Sequence, residues 1–345
     1  MTYLSEPLDV VDVAAALMRI DSSSGRESEV IAFAHDFLER RAWTVRRIPV
    51  SDGRDNILAT STDAPAVTLS THLDTVPPFI PPRVQDDRLW GRGACDAKGI
   101  AAAMICAAEK LREQGFPVSL LFVVGEETSH DGAASANLVP TNSRVLINGE
   151  PTESTLAIGT KGALRVTVET SGVAAHSAYP HFGSSAISAL VDLLHELRGV
   201  EFPSDPKLGD TTVNIGMISG GVADNVLAPD AQARIMLRIV SPAEEVLAIM
   251  RCWAGERASI TEGVSMPAIF LRTVAGFSTS VVAFATDIPA LPSWGTPYLF
   301  GPGSVRFAHR DDEHVGISEL RAAVPSYERL AIQTMLKAAE SDAEV

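Results

Sequence analysis

Apolar positions recur three and four residues apart over about residues 8 to 20 and again over 26 to 40, a period that predicts two amphipathic helices. Two β-rich runs follow, WTVRRIPV and DNILAT. Farther on, AVTLST, SLLFVV and RVLIN are short, apolar and rich in branched residues, with no polar alternation, so they read as strands buried on both faces. Between the first two, GIAAAMICAAEKLREQG has the period of a helix and ends at Gly115, a residue suited to a helix terminus. Strand and helix in alternation predict an α/β domain with a mostly parallel central sheet and helices on both faces.

The texture changes near Lys161. LRVTVETSG, the helical SSAISALVDLLHELRGV, then TTVNIGMISGG, ARIMLRIV and a helix from about Pro242 to Ala254 form a β-α-β-β-α succession. We read residues 161–264 as an inserted α+β domain on an antiparallel sheet with helices on one face. The chain returns through SMPAIF and the Pro/Gly-rich PSWGTPYLFGPGS to a terminal helix from about Ile317 to Ala339. Residues 1–160 and 265–345 then form one discontinuous domain, because His309 must rejoin the motifs described next.

The chain has 345 residues, 46% of them hydrophobic, enough for two cores. Its 43 acidic and 28 basic residues leave a net charge of -15, which argues against a nucleic-acid or anionic-membrane partner and for small solutes. No run approaches the roughly 20 apolar residues of a membrane span. The acidic N-terminal sequence lacks a signal-peptide pattern, and Cys95, Cys106 and Cys252 form no CxxC pair, so a reducing, cytoplasmic setting is expected.

Candidate chemistry falls just after the predicted strands, the edge where open α/β sheets place their sites. THLDT carries His72 and Asp74; GEET carries Glu126 and Glu127; NGEPT carries Glu150. GRGACDAKG, with three glycines in nine residues, is a tight loop aiming Asp96, and it fits neither the dinucleotide fingerprint nor the phosphate loop. Of these, His72, Asp96, Glu127 and Glu150 together with His309 supply two imidazoles and three carboxylates, a donor set suited to a pair of zinc-type ions bridged by one carboxylate. Asp74 is placed to orient His72, and of the adjacent Glu126 and Glu127 one can ligate while the other takes a proton from water. Cys95 reads as a packed, inert thiol.

STHLDTVP, GRGACDAKG, VVGEET, INGEPT, GVAAHSAYP, ADNVLAPDAQARIMLRI and GPGSVRFAHRDDE, in this order across most of the chain, resemble the M20 family of metallopeptidases and amidohydrolases. The resemblance implies a zinc-peptidase-like catalytic domain with an inserted ferredoxin-like lid and dimerisation domain. It implies His72, Asp96 and Glu150 on one ion, with Glu127 and His309 joining the bridging Asp96 at a second. Zinc is the expected metal, with cobalt or manganese as substitutes. Glu126 would be the general base and acid, Asp74 the partner of His72, and the Asp96–Ala97 peptide cis.

By the same resemblance, His176 would stabilise the oxyanion in the other subunit of a homodimer, and Asn225, Arg238 and Gly303 would contact substrate. Lys161 and Gly162 would mark a hinge. AHRDDE and GPGS most resemble deacetylases of the acetylornithine and acetyl-lysine type, so the expected activity is removal of an N-acyl group, with acetyl first, from an amino acid. A dipeptidase or carboxypeptidase is the alternative, and a non-enzymatic binding relative would have lost ligands that are all present here. His35, His130, His181, His195 and His314 receive no role.

Overall fold

In the computed structural model, which describes residues 8–343, six strands form one sheet in the order Thr44–Ser51, Arg54–Thr60, Val118–Val123, Val67–His72, Val145–Asn148, Thr296–Leu299. The last four are mutually parallel; only Arg54–Thr60 runs against its neighbours. The three apolar runs are thus interior strands, and each residue of Val67–His72 and Val118–Val123 is buried.

Alternate side chains serve opposite faces, as the period of a strand requires. Leu69, Leu120, Phe122 and Ile147 join the helices Val10–Met18, Ser28–Arg40, Lys98–Glu113 and Ile317–Ala343 in the larger core. Leu121, Val123 and Leu146 pack instead with Ala133 and Ala136 of the short helix Asp131–Ala136 and with Leu291 and Trp294. Each fully buried Leu, Val or Phe contributes about 1.5–3 kcal/mol, so both faces hold the sheet rigid beneath its carboxyl edge.

The chain divides into two compact units. One comprises the chain up to Ile158, Leu271–Ser280 and the chain from Thr286 onward; the other comprises Gly159–Phe270 and Val281–Ala285. The second unit carries an antiparallel sheet in the order Thr212–Gly220, Asp230–Ile239, Gly162–Ser171, Ser259–Met266. Its helices Ala186–Leu197 and Ala243–Ala254 bury Leu190, Leu194, Val246 and Met250 against Val166, Val168, Ile235 and Leu237, so both cover one face. The strand Ser259–Met266 is additional to the expected succession. Its burial does not alternate and its register shifts between Glu262 and Ser265, so it carries no period-2 signal.

Candidate metal centre

Strand register brings three of the motifs level. His72 ends its strand opposite Val123, and Ser70 lies opposite Asn148. Glu126 and Glu127 follow Val123 by three and four residues, and Glu150 follows Asn148 by two, so all emerge at the carboxyl edge of parallel strands.

Asp96 arrives by another route. The hairpin of Arg83–Gln85 and Arg88–Trp90 leads into the glycine loop, and His314–Gly316 pairs with Arg88–Trp90, which brings Glu313 to that loop. Glu313 Oε1 accepts hydrogen bonds from the backbone N–H of Gly93 (2.9 Å), Cys95 (3.2 Å) and Asp96 (3.2 Å), while Oε2 accepts from Arg92 Nη1 at 2.6 Å. One carboxylate thereby shapes the loop that aims another. The Asp96–Ala97 peptide is cis. Gly303, at φ +87°, closes on this loop from outside, because a Cβ there would stand 2.6 Å from Cys95 Cβ. Cys95 is buried, and burial followed by the charge of Glu313 pushes its thiol well up, which makes it inert.

Nothing in the motif pattern singles out Glu313, although it closes AHRDDE, four residues after His309. Glu313→Ala is expected to weaken metal retention roughly 10–100-fold, because the loop loses its anchor. Leaving Arg92 buried without its partner should also cost about 3–5 kcal/mol. Metal content after dialysis and urea unfolding measure the two effects; full retention in a folded variant would show that the loop holds Asp96 unaided.

The donor atoms converge. His72 Nε2 lies 3.0 Å from Asp96 Oδ1, and His309 Nε2 lies 3.2 Å from Asp96 Oδ2 and 2.9 Å from Glu127 Oε2. His72, Asp96 and Glu150 each offer an atom within 4.8 Å of the others, as do Asp96, Glu127 and His309. Asp96 belongs to both groups. His72 Nδ1 donates to the backbone carbonyl of Asp74 at 2.9 Å, nearer than the Asp74 carboxylate at 3.4 Å, which leaves Nε2 facing Asp96. The Asp74 carboxylate also accepts from Ser24 Oγ (2.8 Å) and from the N–H groups of Glu126 and Glu127 (both 3.2 Å). It therefore joins the His72 turn to the Glu126–Glu127 turn.

Charge reinforces this picture. Burial, then the neighbouring charge of Glu150, pushes Glu126 well above the usual carboxylate range. Burial also raises Glu150, with Asp96 adding to it and His72 opposing, and burial with the charge of Asp96 raises Glu127. Asp96 is held well below that range: burial opposes ionisation, but hydrogen bonds from His309 and His72 prevail. Those to Asp96 and Glu127 in turn lift His309 to about 10. Glu150 Oε1 is buried without a hydrogen-bond partner. An orphaned carboxylate oxygen among crowded acids and two imidazoles is a donor set that fits divalent cations.

The second unit carries the remaining predicted residues. His176 is exposed and forms an isolated bridge with Val226, and the Ser177 N–H donates to the Asn225 carbonyl at 2.9 Å, so the His176 and Asn225 loops pair through backbone. Arg238, half-buried, lies between Ala163 and Thr212 in the sheet.

Residues 68–333 match the model of peptidase family M20/M25/M40. The chain is 38% identical to a probable carboxypeptidase of Aspergillus fumigatus, over 91% of this chain and 84% of that one. Its fold is similar to a tripeptidase of Staphylococcus aureus, with a TM-score of 0.79 and 21% identity over 96% of this chain and 99% of the other. It is also similar in fold to a dinuclear metal-binding M20 peptidase of Bacillus subtilis, with a TM-score of 0.69 and 14% identity over 94% of this chain and 97% of the other. A family match across most of the chain, together with a relative this similar, means that the protein belongs to peptidase family M20/M25/M40, metal-dependent hydrolases of peptide and amide bonds.

Proposed function

We propose that this protein is a two-metal amidohydrolase that cleaves a linear amide whose leaving amine carries a free carboxylate, with N-acetylated amino acids as the substrate class. The observation that carries the reading is Asp96, common to two ligand groups, beside a shielded Glu126 that belongs to neither of them. Zinc, or cobalt or manganese in its place, would be held by His72, Asp96 and Glu150 and by Asp96, Glu127 and His309. Bound there, such ions would lower the pKa of water towards neutrality and polarise the scissile carbonyl.

The protein's own groups do the rest. Glu126 accepts the proton of the attacking water and returns it to the leaving nitrogen as the C–N bond breaks, yielding a carboxylic acid and an amine. Burial raises the proton affinity of Glu126, which suits a group that holds that proton between the two events. Asp74 fixes the tautomer of His72 and the turn from which Glu126 projects. His176 donates to the developing oxyanion, while Asn225, Arg238 and the Gly303 turn contact substrate, the arginine through its carboxylate.

Carboxypeptidase action is the second reading, favoured by the naming of the Aspergillus relative. Both substrates present an amide next to a terminal carboxylate, so one apparatus serves either. Zinc-reconstituted protein should be assayed on N-acetylated ornithine, lysine, citrulline, methionine and glutamate, on N-succinyl-diaminopimelate and on dipeptides, with a chelated control. Chelator-sensitive release from an acetylated amino acid supports the first reading; selective dipeptide cleavage moves the protein to the second.

We also propose a homodimer formed through the second unit, with His176 serving the neighbouring subunit. Thr212–Gly220 is an edge strand that exposes Val213, Met217 and Ile218, and the helix Ala186–Leu197 exposes Ile187 and Val191. Unpaired edges with apolar side chains invite strand pairing between copies. Met217→Lys combined with Val191→Glu is expected to shift the sedimentation coefficient from dimer to monomer and to depress turnover; a monomeric parent chain would overturn the proposal.

A further inference from the structure

Beyond the ligand groups, Glu126 belongs to a third cluster. His130 Nδ1 lies 2.8 Å from Asp287 Oδ1 and 3.8 Å from Glu126 Oε1, and these three residues offer atoms within 4.8 Å of one another. A carboxylate only accepts, so Nδ1 is the donor to Asp287. The Asp287 side chain is 1% exposed, that of Glu126 11% and that of His130 14%, so Nδ1 stands beside two shielded carboxylates.

The backbone commits His130 to this place. At φ 55° and ψ 21° it occupies the left-handed region, which histidine and asparagine tolerate better than most residues. The turn around it is clamped from several sides. The His130 N–H donates to the Gly125 carbonyl at 2.8 Å, and Asn56 accepts from the Val124 N–H and donates to the Gly132 carbonyl. Arg54 bonds Asp131 at 2.6 Å while also holding Glu27. Asp287 comes from the segment that runs on to Leu291 and Trp294 in the core under the sheet. Both ends of the His130–Asp287 contact are therefore held by the surrounding fold.

Resting on the reading of Glu126 as proton carrier, we infer that His130 and Asp287 form a positioning pair for Glu126. The ring, held by Asp287, lies against Glu126 Oε1 and sets the direction in which Glu126 faces the attacking water. Without the ring, Glu126 loses that alignment while the ligand groups stay in place.

His130→Asn tests this, since asparagine keeps the left-handed turn and removes the ring. In the zinc-loaded full chain kcat should fall roughly 10–100-fold with KM and metal content unchanged, the scale usual for groups that orient a reacting residue. Glu126→Gln with His130→Asn should be no slower than Glu126→Gln alone, because the histidine acts only through the glutamate. In metal-free protein, the nitrogen resonances of the His130 ring should report a proton on Nδ1, and Asp287→Asn should weaken that preference. Parent-like kcat, losses that multiply in the double variant, or a mixed tautomer in the parent ring would each overturn the inference. So would metal lost on His130→Asn, which would make the cluster a cation site instead. Failure of the functional reading is separate: the parent chain would be inert on every substrate, and the ring resonances would still decide the pairing.

Discussion

Glu126→Gln is expected to retain its metal ions and to turn over substrate about 10²–10⁴-fold more slowly, the range that general acid-base catalysis supplies. The substitution keeps the length and shape of the side chain and removes only its ability to take a proton. Glu126 belongs to neither ligand group, so metal content should not change. Its N–H, which donates to Asp74 at 3.2 Å, is untouched, and the turn carrying Glu127 therefore stays in place. Measured together, kcat and bound metal separate proton transfer from structural damage. Near-parent turnover would remove Glu126 from the mechanism.

Asp96→Ala should abolish both metal retention and turnover. Each ligand group would fall from three residues to two, and His72 and His309 would lose the acceptor they share across 3.0 and 3.2 Å. Glu150→Ala, by contrast, removes a ligand from only one group and should leave the other cation bound. Titration of the metal-free proteins with zinc or cobalt distinguishes these cases. In the parent chain the same titration should release protons, because His309, held near 10 by Asp96 and Glu127, is protonated at neutral pH and must lose its proton to ligate. Affinity should accordingly rise with pH until that proton is already gone. Two ions retained by Asp96→Ala would show that Asp96 does not bridge.

Local pattern determined much of this. AVTLST, SLLFVV and RVLIN had to be interior strands because they are apolar on both sides, and motifs placed directly after them had to emerge along one edge of a parallel sheet. The alternation in LRVTVETSG and ARIMLRIV likewise made a sheet covered on one face by its helices. Neighbouring residues carry such signals themselves, because periodicity records which side chains must leave water.

Only the folded chain decided the rest. No period shows that Arg54–Thr60 runs against its neighbours, or that Ser259–Met266 completes the second sheet. Nor does it show that Glu313 holds the N–H groups of a loop 218 residues earlier, or that Asp287 meets His130 across 157 residues. Such contacts join chemically ordinary acids whose roles come from what stands opposite them. Burial and hydrogen-bond satisfaction select those partners only once the core has closed, so the sequence by itself determined which groups could do chemistry, and tertiary structure decided which groups would orient them.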